Sequence, residues 1–210
     1  MRARRTPQIA SRKQPKQARS TELVAAILEA AAQVLAEEGA QRFTTARVAE
    51  RAGASIGSVY QYFPNKAAIL FRLQSDEWRR TGELLHGILE DASRPPLARL
   101  RAVVHAFLRS ECAEAAMRGA LADAAPLYRD APEARAAHVA GRRVLDAFMR
   151  ETLPDATSAA RALASDLIAT TLGTVGKRFS ERRRSAAEIA AYADAMADMF
   201  CAYLERVARR

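Results

Sequence analysis

Two cysteines in 210 residues, Cys112 and Cys201, provide neither a metal-ligand spacing nor a disulfide framework. His86, His105 and His138 form no metal-binding cluster pattern, so no metal is expected. No run approaches the roughly 18 apolar residues of a membrane span. The apolar stretch Leu23–Leu28 stops at Glu29, too soon for the h-region of a secretion signal, so the cytoplasm is the default expectation. A Gly-rich phosphate loop, a Gly-x-Ser-x-Gly elbow, a His-Glu-x-x-His pair and a paired-carboxylate site are all missing. Turnover and a bound cofactor are therefore not expected. Aromatic residues are only 6% of the chain and no convincing alternating pattern occurs, which argues against a sheet.

Alanine, by contrast, runs through almost every segment, and it is the best helix former. The bulk composition favours an all-α protein. Lysine is scarce, with Lys13, Lys16, Lys66 and Lys177 alone, so most of the net charge of +9 comes from arginine. That charge is local. Residues 1–19 hold Arg2, Arg4, Arg5, Arg12, Lys13, Lys16 and Arg19 without one acidic residue, which makes +7. A short basic arm before a folded domain suits a phosphate backbone or a DNA groove, although a solvated tail has the same composition.

From Ser20 onward the chain reads as successive helices. The first runs from Ser20 or Thr21 to Glu38 and stops at Gly39, with Leu23, Ile27, Ala30, Ala31, Val34 and Leu35 as its apolar stripe. A short helix follows the Thr44-Thr45 cap signal and reaches Ala52. Another begins near Ser55 and ends about Tyr62, and a fourth runs from about Asn65 towards Asp91. Later helices are expected over about 96–114, 115–124, 132–153, 155–179 and 185–208. The chain then divides into a basic arm over 1–19, a three-helix head over 20–66 and a larger helical bundle over 67–210.

The informative stretch runs from Phe43 to Lys66. Two short helices are joined by a tight turn at Gly53, where a left-handed backbone suits glycine. Val48, Ala49, Ala52, Val59 and Phe63 have the spacing to lock both helices against the first. That leaves Ile56, Gly57, Ser58, Gln61 and Tyr62 outside the core, a small polar face fit for the major groove. Ser58, Tyr60 and Tyr62 offer hydroxyls, Gln61 can pair with a base edge, and Lys66 adds charge at the next helix start. Ile56 has the chemistry to touch a thymine methyl group.

Thr-Thr, then Val-Ala, Ala-Gly and Ser-x-Gly-Ser-Val-Tyr-x-Tyr-Phe-Pro-Asn-Lys resemble the DNA-binding head of the TetR family over about residues 20–72. The resemblance implies a homodimeric regulator, usually a repressor, that a small molecule bound in its C-terminal bundle releases from an inverted-repeat operator. It assigns Thr45, Ser58, Tyr60, Tyr62 and Lys66 to the backbone of double-stranded DNA, and Ile56, Gly57 and Gln61 to its bases. Two rival readings share the head. One is an architectural or interaction protein without ligand sensing, the other an activator.

The bundle carries weaker signals. Leu167, Thr171, Leu172 and Val175 form one candidate dimer stripe; Tyr192, Met196, Met199, Phe200 and Tyr203 form its partner. Trp78, His86, Phe107, Cys112, Tyr128, His138, Phe148 and Met149 are candidates for lining a ligand cavity, with an amphipathic or apolar effector as the default occupant.

Overall fold

The computed structural model describes residues 8–10, 18–128 and 143–209. Among these residues every regular element is helical. Eight helices have firm bounds: α1 (Ala18–Arg42), α2 (Thr45–Arg51), α3 (Ile56–Tyr62), α4 (Lys66–Glu90), α5 (Pro96–Ala113), α6 (Ala115–Ala124), and the long α8 (Ser158–Ser180) and α9 (Ala186–Ala208). Between α6 and α8, a 3-10 turn spans Ala125–Leu127 and residues 143–152 form α7. The first part of the helix expected over 132–153 lies outside the described residues.

Two compact units divide the chain. One comprises Met1–Trp78 and Ala116–Ala137, the other Arg79–Ala115 and His138–Arg210. The division therefore falls within α4 and not at residue 66, and α6 joins the head.

In the head, α1 buries Ile27, Ala30, Ala31, Val34 and Leu35 as its spacing predicts, with Val24 fully covered in place of the half-buried Leu23. Gly39 breaks the helical path with φ 74°, a left-handed value that glycine adopts without a Cβ clash. Phe43, Val48, Val59 and Phe63 are buried under α2 and α3. Each fully buried side chain of this kind contributes about 1.5–3 kcal/mol.

Locally, α2, α3 and α4 are each started by a side chain. Thr44 Oγ1 accepts from Arg47 N at 3.2 Å, Ser55 Oγ from Ser58 N at 3.0 Å, and Asn65 Oδ1 from Ala68 N at 2.9 Å. Gly53, with φ 62°, makes the turn between α2 and α3.

α6 is held by a buried polar network. Arg118 meets Glu77 at 2.8 Å, Gln74 donates to Glu77 at 3.1 Å, and the Tyr128 hydroxyl donates to the Leu121 carbonyl at 3.2 Å. Burial pushes the Tyr128 phenol pKa far up, so it serves as a neutral donor.

The second unit packs α5, α7, α8 and α9 around Leu100, Val104, Leu108, Met149, Leu153, Ile168, Ala197 and Leu204. Gly176 lets α8 approach α5 closely: a Cβ there would stand 2.7 Å from Phe107 Cε1. Arg99 is buried in this unit, donating to the Leu89 carbonyl and paired with Glu151. Its guanidinium also lies 5.6 Å from the centroid of the Phe148 ring.

Candidate nucleic-acid interface

The α2–turn–α3 unit presents one outward face. On α3, Ile56 is 44% and Tyr60 40% exposed, with Gly57 and Gln61 exposed beside them. These four positions follow the i, i+1, i+4, i+5 spacing of a single helical side. From α2, the half-buried Thr45 hydroxyl lies 3.2 Å from the Tyr60 hydroxyl, so the two share a hydrogen bond at the edge of that face. Ser58 is half-buried, with its hydroxyl 2.8 Å from that of Ser55. Lys66 is exposed at the first residue of α4, the positive end of the helix dipole. A lysine there gains nothing from its own helix, and an anion brought to it gains from both.

Tyr62 departs from the expectation. Its side chain is 6% exposed and belongs to the head's core, because two helical steps of 100° turn it away from Tyr60.

The arginines of α2 reach across to α1 while staying partly exposed: Arg51 pairs with Glu37 at 2.7 Å and Arg47 pairs with Glu38. The Arg51 hydrogen bond and charge hold the Glu37 carboxyl below its ordinary pKa. The exposed face of α3 itself is hydroxyl, amide and aliphatic. Sequence reasoning did not find these pairs, since only the packing of α1 on α2 brings residues 37–38 to 47–51.

Gly57 is exposed and helical. A Cβ built there would meet only Ser55 Oγ, at 3.8 Å, an ordinary contact. Nothing inside the protein requires the missing side chain.

The described candidates for the ligand cavity fall in both units. Tyr128 lies in the head's core, with its ring 5.6 Å from that of Phe71. Trp78, the last residue of α4's head portion, is half-buried. Phe148 and Met149 are buried in the second unit's core, where Phe107 and Cys112 pack at the margin. His86 pairs with Glu90 across one helical turn at 2.8 Å. His138 lies outside the described residues. None of the seven described candidates lines either of two open clefts in the second unit. One, of about 700 Å³, has Ile88, Leu97, Ala98 and Ala102 with Arg94, Arg101, His105 and Arg109 around them. The other, of about 660 Å³, sits between the end of α8 and the start of α9, with Arg178, Arg182 and Arg184 beside Phe179 and Tyr192.

The stripes proposed for dimerisation separate into two sets. Leu172, Met196 and Phe200 belong to the unit's own core, which removes them from an outward interface. Leu167, Tyr192 and Met199 are exposed, as is Leu163, while Thr171, Val175 and Tyr203 are half-buried. Leu163 and Leu167 are four residues apart on α8; Tyr192 and Met199 are seven apart on α9, so each pair shares a helical side.

Among the described residues no group of three His, Cys, Asp or Glu could hold a metal ion. No described helix is long and apolar enough to cross a membrane.

Comparison with known proteins places these features in a family. The profile for "Bacterial regulatory proteins, tetR family" matches residues 27–73, and that for "Tetracyclin repressor-like, C-terminal domain" matches residues 95–207. A curated relative, the nucleoid occlusion factor SlmA of Vibrio campbellii, is 37% identical over 83 residues. That match covers 39% of this chain and 42% of the relative, so the chain spans less than half of that relative's length. The fatty acid degradation regulator FadR of Bacillus halodurans aligns with a TM-score of 0.66 at 20% identity, over 89% of this chain and 96% of that one. FadR of Bacillus subtilis, solved with stearoyl-CoA, gives 0.63 at 16% identity over 84% and 97%. At such identities the two solved structures bear on the fold alone.

Proposed function

The chain belongs to the tetR family of bacterial regulatory proteins, as a DNA-binding transcriptional regulator, and from that premise we propose that it is a homodimeric repressor of an inverted-repeat operator, released by a small amphipathic molecule. The observation that carries the DNA reading is the α3 face, where Ile56, Gly57, Tyr60 and Gln61 lie together and Gly57 has no internal reason to lack a side chain. Thr45, Ser58 and Lys66 take phosphates at its edges. Gln61 and Ile56 take base edges, the isoleucine against a thymine methyl. Tyr62 contributes through the core of the head, and any reach of its hydroxyl to phosphate is at the rim.

One seven-residue helix reads too few base pairs for useful specificity. Two heads, one helical turn of DNA apart, supply the rest. The apolar side chains left outward on α8 and α9, Leu163, Leu167, Tyr192 and Met199, are the surface for the twofold mate. α4 gives residues to both compact units and is the connector in the mechanism. A ligand that prefers a dimer with another head spacing lowers DNA affinity by its differential affinity for the two states. Support for an amphipathic ligand comes from the cleft on the second unit, where Ile88, Leu97, Ala98 and Ala102 lie beside Arg94 and Arg109, and from the stearoyl-CoA bound to the Bacillus subtilis structure of the same fold. The protein acts in the cytoplasm, with the chromosome.

Selection of bound duplexes from a random pool tests the reading. An inverted repeat is expected, and Tyr60→Phe and Lys66→Ala should then weaken its binding in a chain that still folds. Wild-type affinity in both variants would remove those residues from the interface. Long-chain acyl-CoA added to the complex is expected to release the recovered duplex. The likeness to a nucleoid occlusion factor favours a second reading, DNA binding without a small-molecule effector. A complex that survives every amphipathic ligand would support that one.

A further inference from the structure

Beyond residue 19 the positive charge of the chain gathers in one place. Residues 20–210 carry only +2, yet residues 177–184 hold Lys177, Arg178, Arg182, Arg183 and Arg184 against Glu181, a net +4. This stretch joins α8 to α9. Lys177 and Arg178, in the last turn of α8, complement the negative end of that helix. Arg182 and Arg183 lie past it, ahead of the Ser185 cap and the positive end of α9, which disfavours cations.

Beside them opens the cleft of about 660 Å³, within the range of about 300–1,000 Å³ usual for small-molecule sites. Its apolar side is Val175, Phe179 and Tyr192, the two rings stacked at 4.2 Å and 19°. Phe179 is buried and Tyr192 is exposed, so a ring backed by another ring is offered to whatever enters. Arg184 is fixed in place: its Nε donates to the Phe179 carbonyl at 3.3 Å, its guanidinium lies 4.6 Å from the Phe179 ring centroid, and Glu188 stands at 3.7 Å. Arg178 is paired with Glu181 at the surface, and Arg182 has no ion-pair partner among the described residues. Three arginines and one glutamate leave the lining at a net +2.

We propose that this cleft binds a nucleoside diphosphate or triphosphate, with the base on Tyr192 and the phosphates on Arg178 and Arg182 beside the fixed Arg184. Guanidinium groups fork onto phosphate oxygens in bidentate pairs. A single carboxylate would leave part of the net charge unmet, whereas a diphosphate meets it. A bare polyanion would leave the Tyr192 ring uncovered, and a planar base stacks on such a ring. The site shares no residue with the cleft of about 700 Å³ and stands apart from the effector reading given for that cleft. It borders the outward face assigned to the twofold mate, since Tyr192 belongs to both and Arg178 stands eleven residues, about three turns, beyond Leu167.

Isothermal titration calorimetry of the full chain with ADP, with pyrophosphate and with adenosine tests this. ADP should bind, more tightly than pyrophosphate, and adenosine should give no signal. Arg178→Gln with Arg182→Gln should weaken ADP binding about tenfold or more and flatten its dependence on salt. Arg80→Gln with Arg150→Gln removes the same charge from two exposed positions elsewhere in the second unit and should leave ADP binding unchanged. Tyr192→Leu should bring ADP down to the level of pyrophosphate and leave pyrophosphate as it was. A wild-type chain that binds no ADP overturns the proposal. Equal affinity for ADP and pyrophosphate removes the nucleoside and overturns it too. So does an equal loss in the two arginine pairs, the signature of the protein's general field in place of a site.

Discussion

Replacing Gly57 with alanine should make the free protein more stable and the DNA complex weaker. Alanine is about 1 kcal/mol more favourable than glycine in a helix interior, and a strain-free Gly→Ala change gains about 0.4–1 kcal/mol. No strain is available to cancel that gain, because the added Cβ meets nothing nearer than Ser55 Oγ at 3.8 Å and the residue's φ is not positive. For a chain of this length the gain corresponds to a Tm about 1–4 °C higher.

On the DNA side the same methyl group stands on the exposed face between Ile56 and Tyr60. If a base edge approaches the α3 backbone there, the methyl either clashes or lifts the helix away, and a tenfold loss of affinity corresponds to about 1.4 kcal/mol. In a symmetric dimer the cost falls on both heads. Circular dichroism melts and anisotropy with the selected duplex read the two effects separately. Gly82→Ala and Gly87→Ala are matched controls, since both glycines are exposed in α4 with nothing within 4 Å of a built Cβ. They should share the stabilisation and leave binding alone. A Gly57→Ala chain that binds DNA as wild type does would refute the close approach, and one that melts lower would refute the claim that the protein itself leaves room.

Three further outcomes follow from the packing. Leu167→Glu together with Met199→Glu should shift the chain from dimer to monomer in analytical ultracentrifugation at unchanged helicity, whereas an unchanged sedimentation coefficient would move the interface off this face. Arg118→Met removes the 2.8 Å arginine partner of the buried Glu77 carboxylate and should lower stability in a denaturant melt. The double change with Glu77→Leu should recover most of that, and equal losses in both would show that the pair adds nothing specific. Glu37 should titrate by NMR below the ~4.3 of an ordinary glutamate, because Arg51 hydrogen-bonds and attracts its charged form. Its contribution to stability is therefore present above the unfolded pKa and is lost as pH falls through the depressed folded value. In an Arg51→Met chain the titration should return to the ordinary range.

The boundaries of the helices were legible because local chemistry decides them. Thr44 and Ser55 cap where their side chains can reach an N–H three residues on, and Gly39 and Gly53 take the positive φ that ends or turns a helix. The pattern of α3 was legible too, apart from Tyr62, and even there a helical wheel sets it on the other side from Tyr60. What could not be read was which partner covers an apolar side chain. Leu167 and Leu172 lie on one helix, and Met196 and Met199 on another; only the placement of α5 and α7 in the second unit decides that Leu172 and Met196 face inward. The same limit hid the pairing of Arg47 and Arg51 with α1. An apolar residue in a helix declares that it is covered, and the covering element is set by distant sequence.

These pairings change how the interface should behave. Arg47 and Arg51 tie α2 to α1, and the residues proposed to read bases, Ile56, Gly57 and Gln61, carry no charge. Direct readout by such side chains depends on hydrogen-bond pattern and shape, and salt screens it little. Affinity for phosphate, which salt does screen, draws on Lys66 in the proposed reading. Discrimination between duplexes and overall affinity are accordingly carried by different residues. Raising the salt concentration should weaken selected and scrambled duplexes together and leave the ratio between them nearly constant. A head that read bases with arginine at positions 47 and 51 would lose both at once.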